Sequence, residues 1–343
     1  RARASSAGAP VTEEQRARLR DWLAAATGDA ALRIAGAAKL SGGAIQQNWA
    51  LDVETRGEAR RWVLRTDSAA VLAVSLPRAA EYALLRAAHE AGVTVPEPLL
   101  LCEDRGVIGA PFFVMQRVAG TAQGHRVVKD ATLGGGRDKL AAQLGRELAR
   151  IHGIRPPRAD LGFLGAPPAD AGLAAIAAMR ARLDAAGTPR PVTEWGLRAA
   201  ERHAPLPVPS ALVHNDFRTG NIMLDASGVT AVLDWEFAAW GDPAADLGWF
   251  CAKCWRFGNA AQEAGGIGPR AAFYAGYEEV SGTRVEDARV RWWELMAHIR
   301  WAVIAGDQAM RHISGEERSL ELALTGHIIP ELEWDILSMA EAL

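Results

Sequence analysis

Residues 212–250 read LVHNDFRTGNIMLDASGVTAVLDWEFAAWGDPAADLGWF, and this stretch constrains the chain most. A short apolar run, Ala211–Val213, leads into His214, Asn215 and Asp216. Ile222–Leu224 and Thr230–Leu233 are short strand candidates, and Asp225-Ala226-Ser227-Gly228 between them has turn chemistry. That pattern makes a hairpin, with Asn221 just before its first strand and Asp234 just after its second. A hairpin brings those two positions to the same end. Asp216, five residues before Asn221, can curl back over that end. Two carboxylates and one amide then cluster, a hard oxygen donor set that suits Mg²⁺. Such a set points to metal-assisted phosphoryl chemistry. Asp225 is read as a turn residue only. Asp242-Pro243 is read as a helix N-cap followed by proline at the first helical position.

The chain has 343 residues, which at ~150 residues per domain suggests two domains or lobes. Apolar residues are 49% and charged residues 23%, so a disordered chain is excluded. The formal net charge of −3 gives no global basic field for nucleic acid or an anionic membrane. No apolar run approaches the ~20 residues of a membrane helix. Three cysteines make no disulfide framework, which fits a reducing compartment and a cytoplasmic location. The Arg-, Ala- and Ser-rich stretch Arg1–Pro10 lacks the apolar core of a secretory signal and is read as a loose tail, with a transit peptide as the alternative.

Along the chain, Glu13–Ala26 reads as a helix with Leu19, Trp22, Leu23 and Ala26 on one stripe. Trp49, Leu51 and Val53 alternate with polar or small residues, and Arg61–Thr66 follows a turn around Gly57, so both runs read as strands. Ala79–Ala91 reads as a helix ended by Gly92, and Val107–Val118 as buried strand. The first ~115 residues thus suggest a small mixed lobe. Asp138–His152 places Leu140, Leu144, Leu148 and Ile151 on one helical stripe. Segment 155–210 is Pro- and Ala-rich and contains loops. From about Pro243 the pattern is again helical.

The combination H-x-D-x-x-x-x-N, hairpin, D-W-E resembles the aminoglycoside phosphotransferase family of kinase-like phosphotransferases. His214, Asp216 and Asn221 match the first motif, and Asp234 matches the family's second metal-binding Asp. Gly241, Asp242, Pro243, Asp246 and Leu247 match the later G-D-P-x-x-D-L. The wording HNDFRTGN resembles the kinase-like domains found with acyl-CoA dehydrogenases more than antibiotic-resistance enzymes. The resemblance covers roughly residues 33–270 and implies an α+β, bilobal protein-kinase-like fold. Its N-lobe would be a small antiparallel sheet with one main helix, and its C-lobe would be larger and mostly helical. The implied layout is tail and helix over 1–30, N-lobe over 31–117 and C-lobe over 118–343.

The same resemblance implies site residues. Ser41, Gly42 and Gly43, with Asn48, occupy the place of a Gly-rich phosphate turn, where absent side chains let N–H groups approach. Arg65 stands where the family usually has a Lys for the nucleotide phosphates; the dehydrogenase-associated branch resembles this chain there. Arg binds phosphate bidentately but is bulkier. Glu81 matches the acid that pairs with that cation. The run 114–118 matches the hinge, with adenine on the Gln116 carbonyl and the Val118 N–H. Asp216 accepts or orients the acceptor proton, and Asn221 and Asp234 hold Mg²⁺. Arg218 stabilises the transferred phosphoryl, or binds an acidic acceptor or a structural carboxylate. His214 is scaffold rather than base, and Asp246 anchors the loop.

Weaker signals remain. Cys251 and Cys254 form C-x-x-C without a second pair, so they read as packing rather than zinc. Of twelve Trp, nine lie from Trp195 onward, mostly as core or packing residues, with some available to line an acceptor pocket. Arg289, Arg291, Arg300 and Arg311 read as a solvated face, with a cationic rim for an acidic or CoA-linked acceptor as the sharper alternative.

The expected activity is ATP- and Mg²⁺-dependent transfer of a γ-phosphoryl to a small-molecule hydroxyl, with GTP not excluded as donor. A hydroxyacyl or hydroxyacyl-CoA acceptor is the first to test, and an aminoglycoside is disfavoured. The rivals are a nucleotide-binding pseudokinase, a metal-dependent phosphatase and a protein kinase. The short span between Asp234 and Gly241-Asp242-Pro243 leaves no long activation segment, against the last.

Overall fold

The structure, a computed structural model, describes residues 12–40, 46–67 and 76–343. The tail expected over Arg1–Pro10 and the turn residues Ser41, Gly42 and Gly43 lie outside the described residues. The chain divides into two compact units: Arg1–Glu90 with Val95–Ala119, and Ala91–Thr94 with Gly120–Leu343.

In the smaller unit, helix α1 (Glu13–Thr27) opens on a capping box in which Thr12 and Gln15 satisfy each other's backbone N–H. Strand β1 (Arg33–Lys39) follows, then β2 (Gln46–Thr55) and β3 (Glu58–Asp67). Arg56 and Gly57, at φ 51° and 77°, make the two-residue turn between β2 and β3. Positive φ at both positions matches the twist of the flanking strands. Asp29 Oδ2 accepts the Arg56 N–H at 2.6 Å and the Thr55 hydroxyl at 2.8 Å, which holds a non-glycine residue in that conformation. Helix α2 (Arg78–Glu90) and strand β4 (Pro98–Cys102) come next.

The strand expected across Val107–Val118 is interrupted. Asp104 caps a one-turn helix, α3 (Arg105–Ile108), by accepting the Gly106 N–H, and only β5 (Phe112–Gln116) is strand. The described strands form an antiparallel sheet in the order β1-β2-β3-β5-β4. Leu19 and Leu23 of α1 pack on Trp49, Leu51, Trp62, Phe112 and Val114 of the sheet, and Trp22 meets Phe112 edge-on at 5.1 Å.

The larger unit is mostly helical. It runs through α4 (Gly124–Val127), α5 (Arg137–His152), α6 (Ala171–Ala186) and α7 (Pro191–Arg202). The last two occupy the segment 155–210 that was expected to contain loops. Asp170 caps α6 and Pro191 opens α7, signals that the Pro- and Ala-rich composition obscures. The stripe Leu140, Leu144, Leu148 and Ile151 of α5 is fully buried.

Two small antiparallel pairs follow: β6 (Ala211–Val213) and β7 (Ile222–Asp225), with β8 (Gly228–Val232) and β9 (Ala239–Gly241). β6 pairs β9, and β7 pairs β8 as the expected hairpin. The rest is α8 (Pro243–Cys251), α9 (Arg270–Ser281), α10 (Asp287–Ile313), α11 (Leu320–His327) and α12 (Ile329–Glu341). Helices α5 and α9 cross closely: a Cβ on Gly276 would stand 1.9 Å from the Ala142 carbonyl oxygen, so only glycine fits there. The α+β composition expected from the sequence is present, with an antiparallel sheet in one unit and helices dominating the other. Among the described residues, no helix is long and apolar enough to cross a membrane.

Candidate active site

The loop 214–221 runs from β6 into β7, and α8 holds it in place. Asp246, on the first turn of α8, accepts the His214 N–H at 2.6 Å and the Asn215 N–H at 2.8 Å. His152 Nε2 contacts the same carboxylate at 3.1 Å, and Tyr277 Oη meets His152 Nδ1 at 2.9 Å. Burial opposes the Asp246 charge, but the bond to His152 and the nearby imidazoles hold its carboxyl below the ordinary value. With both loop N–H groups satisfied, Asn215 is kept at φ 61°, a left-handed conformation. Its side-chain amide donates to the Phe237 carbonyl at 2.9 Å.

His214 is fully buried. Its Nε2 meets the Leu233 carbonyl at 3.0 Å, and its Nδ1 accepts the Asp216 N–H at 3.3 Å. That pairing fits a neutral ring carrying its proton on Nε2. Burial pulls its pKa below the ordinary imidazole value, against the Asp246, Asp216 and Asp234 carboxylates. His214 therefore braces the loop against the strand end.

The Asp216 carboxylate is held by three donors. Oδ2 accepts the Asn221 amide at 2.6 Å. Oδ1 accepts the Trp249 indole N–H at 3.1 Å and the Arg218 Nε–H at 3.1 Å. Asn221 also donates to the Asp216 carbonyl at 3.0 Å, so its Nδ2 is committed and its amide oxygen is left for another partner. The Leu233 N–H bonds the Asn221 carbonyl at 2.8 Å, which places Asp234 directly beyond that junction. Asp234 sits at φ 66°, uncommon for a residue other than glycine. The structure thus gathers His214, Asp216, Arg218, Asn221 and Asp234 in one neighbourhood. Among the described residues, no group of three or more His, Cys, Asp or Glu forms a metal cluster. A cation here would rest on one carboxylate and one amide oxygen, which matches the sparse protein ligation of Mg²⁺.

In the smaller unit, Arg65 of β3 and Glu81 of α2 form an ion pair at 2.7 Å, both nearly buried. Glu81 also takes a close contact from Arg78, which in turn reaches Asp67 at 2.9 Å. Arg78 was not anticipated; it lies at i, i+3 from Glu81 on one helix face. Asn48 stands opposite Arg65 in the β2–β3 register. Gln116 ends β5 with its N–H on the Glu97 carbonyl at 2.9 Å, and Val118 lies two residues on.

The family model described as phosphotransferase enzyme family, APH, matches residues 36–293. That match spans most of the sequence and every motif described above. The chain belongs to this phosphotransferase family. It is an enzyme of the small-molecule kinase type. Among curated proteins, this phosphotransferase is 37% identical to acyl-CoA dehydrogenase family member 11 of Gallus gallus over 178 residues, 49% of this chain and 22% of that protein. The phosphotransferase accordingly spans less than a quarter of the length of the curated relatives it matches. Among solved structures it resembles a candidate aminoglycoside phosphotransferase of Ralstonia eutropha JMP134, with a TM-score of 0.76 at 23% identity, over 95% of this chain and 98% of that one. It also resembles the aminoglycoside phosphotransferase APH(4)-Ia, solved with ADP and hygromycin B, at a TM-score of 0.58 and 17% identity over 94% and 98%.

Within the larger unit of this phosphotransferase, a cavity of about 270 Å³ opens beside the loop. Ala171, Ala175, Met179, Met296, Trp249 and Arg300 contribute to its wall. Arg300 stacks over the Trp249 ring, 4.6 Å from its centroid, and donates to the Asn215 carbonyl at 2.9 Å. The four arginines read together in the sequence therefore do not form one face. Arg289 pairs closely with the buried Asp242, Arg291 with Asp287 at 2.7 Å and Arg311 with Glu317, while Arg300 enters the pocket. Trp249 also escaped the sequence reading, since one Trp among apolar neighbours looks like core. Burial pushes the Cys251 and Cys254 thiols up, consistent with packing.

Proposed function

We propose that the chain transfers the γ-phosphoryl of Mg·ATP to a hydroxyl of a small molecule, with a hydroxyacyl compound, free or CoA-linked, as the first class to test. The observation that carries the reading is the Asp216 carboxylate, gripped by Asn221, Arg218 and Trp249 beside a pocket. A base that must meet a hydroxyl at hydrogen-bond distance benefits from such fixing. The acceptor oxygen bonds to the γ-phosphorus as the β–γ bridging P–O bond breaks. ADP departs with that electron pair, and the hydroxyl proton passes to Asp216.

Asn221 and Asp234 would hold Mg²⁺, through the amide oxygen left over from the Asp216 bond and the carboxylate beyond β8. When bound, the ion offsets phosphate charge. Arg65, oriented by Glu81, would grip the nucleotide phosphates together with the turn Ser41-Gly42-Gly43. Gln116 and Val118 would offer backbone groups to the adenine. Arg218 is bound to Asp216, so its role is to hold that carboxylate in place. The ADP carried by the APH(4)-Ia structure supports an adenine nucleotide as donor. The chicken relative is named as an acyl-CoA dehydrogenase family member, which supports testing acyl compounds first, and the proposed reaction requires that they carry a hydroxyl.

The test is acceptor-dependent ADP release from Mg·ATP across hydroxyacyl-CoAs, hydroxy acids, amino alcohols, sugars and aminoglycosides. Release with a hydroxyacyl compound supports the reading. Nucleotide binding with no transfer to any acceptor would favour a pseudokinase. Phosphate release from a monoester without ATP would favour a phosphatase.

A further inference from the structure

A buried guanidinium normally has a carboxylate beside it, because an uncompensated charge in a low dielectric is costly. The larger unit obeys this at Arg256 with Glu294, at Arg270 with Glu263 and Glu294, and at Arg289 with Asp242. Arg300 departs from it: half-buried, it has no carboxylate partner among the described residues. Its one hydrogen bond goes to the Asn215 carbonyl, and its flat face lies on Trp249. Desolvation pulls its pKa below the ordinary guanidinium value, with Asp216 and Asp246 acting against that from farther off. The remaining wall of the cavity is largely Ala, Met, Trp, Val and Pro. Asp242 also borders it, but that carboxylate is spent on Arg289, the Trp293 indole at 2.8 Å and the Ala244 N–H at 2.9 Å.

We infer that this cavity is the acceptor subsite and that Arg300 selects an acceptor carrying a carboxylate on a short apolar chain. The inference rests on the phosphotransferase reading of Asp216, whose carboxylate is joined to the cavity wall through Trp249. The cavity's volume of about 270 Å³ accommodates a few-carbon chain. A carboxylate on the Arg300 fork gains charge-assisted hydrogen bonds and supplies the missing counter-ion. An ammonium in the same place meets a like charge, so polycationic acceptors are rejected.

Calorimetry with a hydroxyhexanoate, the matching hydroxyhexanamide and aminohexanol tests this, alongside phosphoryl transfer from Mg·ATP to each. The wild-type chain should bind the acid at least about tenfold more tightly than the amide, with the amine weakest. The preference should vanish in Arg300→Met and persist in part in Arg300→Lys. Ala175→Phe, a substitution on a half-buried wall position, should weaken the acid by filling the cavity without touching the charge. Equal affinities in the wild-type chain, or an acid preference that survives Arg300→Met, would overturn the inference. Transfer to acceptors with no regard to charge would also overturn it, while leaving the phosphotransferase reading intact. Arg300-dependent binding of the acid without any transfer would uphold the subsite and count against that reading.

Discussion

Trp249 donates its indole N–H to Oδ1 of Asp216 at 3.1 Å, across 33 residues of chain. Asp246, three residues earlier on the same helix, holds the backbone N–H groups of His214 and Asn215. The i, i+3 spacing puts both side chains on one face of α8, so a single helix fixes the loop backbone and its carboxylate together. Replacing Trp249 by Phe keeps an aromatic face under Arg300 and removes only the donor. A hydrogen bond to a charged group contributes about 1.5–3 kcal/mol. The turnover number should therefore fall roughly 10- to 100-fold, with Mg-nucleotide affinity unchanged. Turnover within a factor of about two of wild type would show that Trp249 does not position Asp216.

Gly220 makes room for Arg218. A Cβ there would lie 2.4 Å from the Arg218 guanidinium Nη1, and that guanidinium bonds Asp216. The end of a long side chain moves cheaply, so Gly220→Ala should change stability by no more than about 1 kcal/mol. The displaced guanidinium should still cost turnover. Denaturant melts paired with steady-state rates check the split. A large stability loss with normal specific activity would contradict it.

Asp234→Asn separates charge from conformation. Asn tolerates the left-handed backbone that Asp234 adopts at φ 66°. The folded state should be retained while affinity for the Mg-nucleotide drops, and nucleotide affinity measured in EDTA should change little. An equal loss with and without Mg²⁺ would argue against Asp234 as a metal ligand.

What was legible in the sequence follows from distance along the chain. His214, Asp216, Asn221 and Asp234 fall within one loop and one hairpin, so spacing and turn chemistry were enough to group them. Arg65 and Glu81 were paired by family resemblance, and the ion pair is present. Arg300 was legible only as one of four arginines, a solvated face or a cationic rim, and its meeting with Trp249 was not, because it depends on the packing of α8 against α10. Helical periodicity marks a Trp as buried but does not say what its N–H meets. For the same reason Val107 and Ile108, the end of the short helix, fall inside the run read as strand: the cap that starts the helix is one side-chain bond from Asp104, just before that apolar run.

His214 also makes stability depend on pH. Its pKa is lowered by burial from the ordinary 6.5, so below that value the unfolded chain takes up a proton that the folded loop refuses. Stability is therefore full above 6.5 and falls as pH drops towards the lowered folded value. Denaturant melts on either side of 6.5 should show the loss, and His214→Gln should reduce the slope. An unchanged slope in that variant would assign the effect to other groups.

The central claim is that Asp216 handles the acceptor proton in phosphoryl transfer. The most direct measurement is acceptor-dependent ADP formation by Asp216→Ala beside its Mg-nucleotide affinity. General-base removal is predicted to cost about 10²- to 10⁴-fold in turnover while the nucleotide dissociation constant stays near that of the wild-type chain. Turnover that survives the substitution would contradict the account.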